Sequence, residues 1–524
     1  MTIATLQEYT KIFTQSTSLE VKAHGEVYTP LSLVTQMLDK LPLDVWSDPS
    51  LIWFEPACGL SPFLFLSYQR LMIGLEVVIP NKENRSKHII ESMFYFNELQ
   101  EKNLTRLKQL FNASTYKLNL FEGDAMAVVP SDFKADIIVA NPPYNTSINN
   151  RGTGHSCWQK FVTKGLKEWL QPKGYLLYVT PSLWRQGDDD VLPLVKQHDL
   201  LFLAIHNEAM GLKTFGRNTR YDIYLIRNQS YNGLTEIVDE RGKVGRLDIT
   251  PLTFLPNCHF ELVAKLLASG SDEKVEVVCT YVFDVRRAHM SKEQDEVHKY
   301  PCILSVNKAN QPKLSWSAIN TKGLFGTPKV VFANGATGVL VDRTGEYGLS
   351  QWAKAIVADP DELDGIKDAL LSPTFTQVTK AIAVGQASIN HKILERFKKD
   401  FWREILATPL STVSAVSAIS SVDSMDNCQV VTREGKPCTR KGVDSGYCKQ
   451  HKGYATNETV GTSSVKLSEA SSSSSTSLDQ QKLQESVGKN GYTVDQLKSY
   501  CREKQLKFKS DAKKAVLREL LLTS

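Results

Sequence analysis

Apolar strands alternating with helix-patterned segments fill the first part of the chain, and the residues with chemistry to offer cluster where those strands end. Leu51 to Glu55 reads as a short apolar strand, and Phe94 to Glu98 as another, with helical spacing from Asn103 to Phe111 after it. Ala135 to Ala140 (ADIIVA) and Gly174 to Thr180 (GYLLYVT) are buried-strand patterns. Strands of this kind belong in a parallel sheet covered by helices on both faces, which predicts the α/β class. Such a sheet binds ligands beyond the carboxyl ends of its strands. The loops after Glu55, Glu98 and Ala140 are therefore the first places to look for function.

Composition sets the outer limits. With 42% hydrophobic and 23% charged residues over 524 positions, the chain is globular rather than disordered or collagenous. No apolar run reaches the roughly 18 residues that a membrane span needs, and nine scattered cysteines make no disulfide framework. We expect a soluble, intracellular protein with no membrane partner. The texture changes after residue 405. We read 1–195 as the core α/β unit, 196–405 as a second globular region and 406–427 as a linker. A Cys/His segment at 428–452, a Ser-rich linker at 453–485 and a helical module at 486–524 complete the chain.

Asn141-Pro142-Pro143-Tyr144 directly follows the strand ADIIVA. Two prolines stiffen the loop, so the Asn141 side chain and the Pro142 carbonyl can both accept from one amine and aim its lone pair outward. Tyr144 offers a stacking face for a planar group. A second loop, Glu55-Pro56-Ala57-Cys58-Gly59-Leu60-Ser61-Pro62-Phe63, also closes a strand. Its glycine lets backbone amides approach a ligand, and Glu55 can engage a cationic or amine-bearing cofactor. Cys58 has no neighbouring base and reads as packing. The other cysteines before residue 405, Cys157 included, read as isolated.

These segments together resemble the adenine-N6 DNA methyltransferase family, in the gamma-class order, over residues 20–190. The family's cofactor loop is Asp-Pro-Ala-Cys-Gly-Ser-Gly-x-Phe; Leu60 and Ser61 replace its Ser-Gly, and a Ser there is expected to crowd the cofactor. His24 to Pro30 (HGEVYTP) looks like the family's Gly-x-x-Tyr-Thr-Pro element, which implies cofactor contacts from Tyr28, Thr29 and Pro30. The resemblance further implies a Rossmann-like seven-stranded fold and S-adenosyl-L-methionine bound by Glu55, Ala57, Gly59, Glu98, Asp124 and Asn141. It implies methyl transfer at Asn141 to Tyr144 onto a flipped-out adenine in double-stranded DNA, with a companion restriction endonuclease as a possible partner. For the ribose-gripping acid, generic spacing from the glycine points to Glu76, but Glu98 ends a strand and precedes a good helix, so Glu98 is chosen. Region 196–405 then becomes a target-recognition region. Phe215 to Tyr224 (FGRNTRYDIY) looks like methyltransferases of large DNA viruses, with Arg217, Arg220 and the stretch Phe332 to Gly338 as DNA contacts.

Cys428, Cys438, Cys448 and His451 offer three sulfurs and one imidazole among turn-forming glycines and a proline, a set suited to structural Zn2+. The last segment resembles a SAP DNA-binding module. From Thr493 onward it holds eight basic and four acidic residues, and Lys509, Lys513 and Lys514 are its phosphate contacts. Two alternatives stay open: a non-catalytic DNA-binding protein whose cofactor loop has decayed at Leu60-Ser61, and an RNA or protein-glutamine methyltransferase.

Overall fold

The structure, a computed structural model, describes residues 3–12, 29–128, 133–145, 156–333, 338–384 and 391–408. Tyr28, the Cys/His set Cys428, Cys438, Cys448 and His451, and the lysines Lys509, Lys513 and Lys514 lie outside the described residues. Among the described residues, no helix is long and apolar enough to cross a membrane.

A helix over residues 6–12 precedes α1 (Leu31–Leu38). Strand β1 (Trp53–Glu55) leads into α2 (Pro62–Gly74), and β2 (Phe94–Glu98) into α3 (Glu101–Leu110). β3 (Asn119–Glu122), β4 (Ala135–Ala140), α4 (Trp158–Lys164) and β5 (Leu170–Pro181) follow. Then come β6 (Asp199–His206), α5 (Glu208–Phe215), β7 (Tyr221–Arg227), β8 (Thr235–Val238) and β9 (Val244–Leu247). All nine strands form one sheet in the order β3-β2-β1-β4-β5-β7-β6-β8-β9. From β3 to β5 every pairing is parallel, and β7 runs antiparallel between β5 and β6. The sheet is the expected seven-stranded arrangement with two strands added at one edge.

Alternation along the strands explains why both faces are covered. Trp53, Ile137, Val139, Leu177 and Val179 pack into one core, which takes in buried residues of α1, α2 and α3. Phe54, Ile138, Ala140, Leu176 and Tyr178 point into the other, with α4 and the helices beyond residue 360. The sheet continues past residue 195, where the sequence reading placed its boundary, as far as Leu247. Antiparallel β7 has to sit between β5 and β6, so the chain beyond 195 must fold back into the sheet before leaving it.

Two four-stranded sheets follow. One pairs β10 (Glu276–Cys279), β14 (Lys329–Ala333), β15 (Val339–Asp342) and β17 (Ala353–Val357); the other pairs β11 (Met290–Ser291), β12 (Tyr300–Val306), β13 (Pro312–Ser317) and β16 (Gly348–Leu349). Phe332, within a stretch read as a DNA contact, is instead buried in β14, and a Cβ on Gly338 would collide with the Asn307 carbonyl. Inward-facing alternation in β14 decides this, and a glycine-rich sequence does not reveal it.

Candidate active site

Four loops meet at the carboxyl edge of β1 to β4. The loop after β1 turns through two left-handed residues, Gly59 (φ 54°) and Ser61 (φ 54°). A glycine accepts that backbone freely, whereas any other residue pays roughly 1–2 kcal/mol for it. Ser61 offsets the cost: its fully buried hydroxyl donates to Glu55 Oε2 at 2.5 Å. The same oxygen accepts from the Leu64 amide in the first turn of α2. The Ser61 side chain is thus turned to Glu55, and Glu55 is a buried anchor for the loop and helix. Ala57 and Gly59 are the half-buried members of the turn.

Burial pushes the Glu55 carboxyl up to about 8, against the opposing bonds from Ser61 and Leu64. Between its ordinary value of 4.5 and about 8, the folded protein holds a proton that the unfolded chain has released. This contribution is therefore complete below the lower value and is lost as pH rises to the upper one, at up to about 1.4 kcal/mol per pH unit. Glu55→Gln is expected to flatten that slope. Urea midpoints of both proteins across the window check it, and parallel pH profiles would refute it.

Glu98 ends β2 and bridges two loops. Its Oε2 accepts from the Gly59 amide at 2.7 Å and its Oε1 from the Gln100 amide at 2.7 Å. Burial raises its pKa, and these amides pull it back. Glu76 sits away from these loops, exposed and 3.5 Å from Arg85. Further backbone ties bind the edge together: the Cys58 amide donates to the Asn97 carbonyl and the Gly123 amide to the Glu98 carbonyl. Asp124 is exposed, and its Oδ1 caps the short turn after it through the Met126 amide. Burial pushes the Cys58 thiol well up, which keeps it protonated and inert.

The Asn141 loop leaves the end of β4. Asn141 Nδ2 donates to the Thr29 hydroxyl at 3.0 Å, while its Oδ1 is buried with no partner among the described residues. Pro142 is buried, Pro143 exposed and Tyr144 half-buried. The Tyr144 hydroxyl is also buried without a partner, and burial drives its pKa up, so it stays protonated. Thr29 is buried and Pro30, the next residue, half-buried at the start of α1. An unmet acceptor at a strand's carboxyl end is what an amine donor would satisfy.

Two contacts at this edge come from residues without motif value. Cys157, read as isolated, donates from Sγ to the Pro143 carbonyl at 3.0 Å and from its amide to the Tyr144 carbonyl at 3.1 Å. Tyr9, in the first helix, donates its hydroxyl to the Leu60 carbonyl at 2.9 Å and stacks on Phe65. No spacing rule relates positions this far apart in the chain, so nothing local in the sequence signals them. Tyr9→Phe leaves that buried carbonyl without its donor and should cost about 1–2 kcal/mol in chemical denaturation. An unchanged midpoint would mean the bond adds nothing.

The two arginines proposed for DNA part company. Arg217 is exposed. Arg220 is clamped between Glu208 (2.8 Å) and Glu240 (2.7 Å), its side chain 11% exposed. Two carboxylates already satisfy that guanidinium, which fits a brace better than a phosphate contact.

The N-6 DNA Methylase family matches residues 6–188, and a Domain of unknown function (DUF5763) matches 425–462, across the Cys/His segment. An uncharacterized adenine-specific methylase of Mycoplasma pneumoniae (strain ATCC 29342 / M129 / Subtype 1) is 40% identical over 307 residues, covering 43% of this chain and 72% of that protein. Among solved structures, a modification subunit of a putative type I restriction enzyme from Vibrio vulnificus YJ016 is 15% identical, with a TM-score of 0.35. That match covers 44% of this chain and 51% of the other, so the chain spans about half the length of that subunit. The Type IIL restriction-modification enzyme MmeI in complex with DNA is 10% identical, over 71% of this chain and 66% of that one, with a TM-score of 0.41.

Proposed function

Because the chain belongs to the N6-adenine DNA methylase family, we propose that it transfers a methyl group from S-adenosylmethionine to the exocyclic N6 amine of adenine in double-stranded DNA. The observation that carries this reading is Asn141 Oδ1 at the end of β4, buried and without a partner among the described residues. A carbonyl oxygen there accepts from an amine and disfavours delocalisation of its lone pair into the ring.

The residues at the sheet edge fit the cofactor. Glu98 would take the ribose hydroxyls, and the half-buried Ala57 and Gly59 let backbone come close to it. Asp124 would meet its adenine amine. When bound, the cofactor supplies a methyl on a sulfonium, electrophilic enough to need no metal. What the chain does is positional. Asn141 Oδ1 and the Pro142 carbonyl accept the two amine hydrogens, and the Tyr144 ring stacks on the base. With the cofactor held by Glu98, Ala57, Gly59 and Asp124, the amine nitrogen would take the methyl as the carbon–sulfur bond breaks, and the surplus proton would leave to solvent. The adenine must first leave its stack, at a few kcal/mol.

Region 196–405 would read the sequence, with Arg217 as an exposed candidate contact. Cys428, Cys438, Cys448 and His451 would hold a structural zinc ion, and the SAP-like lysines would meet DNA phosphates; metal analysis of the full chain tests the first. A companion restriction endonuclease is the partner such an activity would protect DNA against. Transfer of label from S-adenosylmethionine to duplex DNA, RNA and protein, with mass spectrometry of the digests, tests the whole reading. N6-methyladenine from DNA is expected; label confined to RNA or protein, or no label at all, would overturn it.

A further inference from the structure

We infer that Thr29 is a positioning residue for methyl transfer: its hydroxyl anchors the Asn141 amide at the place where that amide meets the target amine. The inference rests on the proposed function. The family resemblance assigns Thr29 to the cofactor, but its recorded bond is to the catalytic loop.

The two ends of an asparagine amide are nearly the same in size and opposite in character: one accepts, the other only donates. A loop that must accept from an amine works only while its amide is held within hydrogen-bond reach of that amine. A hydroxyl can accept from Nδ2 or donate to Oδ1, so what such a partner fixes is the place of the amide. Thr29 Oγ1 accepts from Nδ2 at 3.0 Å and holds the amide at the end of the strand, with Oδ1 buried and unpaired among the described residues. Leaving an acceptor unpaired in the interior is costly, which suits an oxygen whose partner arrives with the substrate.

Thr29 is well mounted for this task. It is 4% exposed. It precedes Pro30, which confines its backbone to extended conformations. Its β-branched side chain is stiff at χ1. Pro30 opens α1, whose Leu33, Val34, Met37 and Leu38 are buried in the core. The hydroxyl is thus held by a helix packed beside the sheet, and Asn141 leads off from the sheet. The bond joins two segments 112 residues apart.

Thr29→Val tests the inference, because it keeps the shape and removes the acceptor. Methyl transfer to duplex DNA is measured in single turnovers at saturating cofactor, with the dissociation constant for S-adenosylmethionine measured by calorimetry and a thermal melt of each protein. The expected result is a methyl-transfer rate lower by about tenfold to a hundredfold, with cofactor affinity and melting little changed and with activity recovered in Thr29→Ser. Weakened cofactor binding with an unchanged rate at saturation would overturn the inference and return Thr29 to the cofactor. A variant equal to wild type in both would show the hydroxyl to be idle. A wild type that binds cofactor yet methylates no adenine would bring down the functional reading, and this inference with it.

Discussion

Asn141→Ala is expected to lower adenine methylation by at least about 10²–10³-fold, the scale for removing one preorganised polar contact at a reacting centre. The rate should fall far more than cofactor affinity. Asn141 is half-buried on a loop tied down at both ends, by Thr29 on one side and by the two Cys157 bonds on the other. Alanine removes the acceptor and the Thr29 tie with it, while the two Cys157 bonds keep hold of the loop. Oδ1 has no partner among the described residues, so its loss strands no donor there; only the Thr29 hydroxyl loses a bond, and the fold should hold. Single-turnover methyl transfer with a melting control decides the matter. A variant within tenfold of wild type would mean that the amine is not activated by this amide, and the proposed chemistry would fall.

The second large effect is on stability. Arg185→Leu is expected to cost about 3–5 kcal/mol, the scale for breaking a buried ion pair from one side. Arg185 and Asp222 are both fully buried, with Nε 2.7 Å from Oδ2. The same guanidinium donates to the Leu255 carbonyl at 2.8 Å and to Asn257 Oδ1 at 2.9 Å. Asn257 in turn donates to the Lys380 and Ala383 carbonyls. One side chain in the turn after β5 thus fastens β7 of the sheet, through Asn257, to the helical region near residue 380. Removing it leaves Asp222 charged in the interior and two further acceptors unmet. Arg185→Leu with Asp222→Leu should recover much of the loss, since an apolar pair asks for no solvation. Urea denaturation of the single and double variants measures both; a double variant no better than the single would mean that the bonds to Leu255 and Asn257, rather than the ion pair, carry the effect.

Local pattern made much of the fold legible. ADIIVA could only be a strand covered on both faces, and Asn141 to Tyr144 at its end marked the loop for which the chemistry is proposed. Phe94 to Glu98 followed by a helix was enough to prefer Glu98, and its bond to the Gly59 amide sets it in the same edge. Other features were not legible. Ser61 reads from sequence as an obstruction beside the cofactor, but its hydroxyl is spent on Glu55, a direction that depends on a left-handed backbone no sequence prints. Arg220 reads as a free cation until Glu208 and Glu240 close on it from other elements.

Determined by sequence alone, then, were those properties that depend on neighbours along the chain: which strands are apolar on both faces, where they stop, and which polar residues stand at their ends. Strand burial and proline-stiffened turns follow from side-chain period and covalent geometry, so a short window carries them. Tertiary structure decided the partners: Thr29 for Asn141, Tyr9 for Leu60, Cys157 for Pro143, Arg185 for Asp222 and Asn257. Each pairing joins residues from 14 to 112 positions apart. A hydrogen bond needs its two atoms within about 3 Å, and only the packed sheet and its helices bring such distant positions that close.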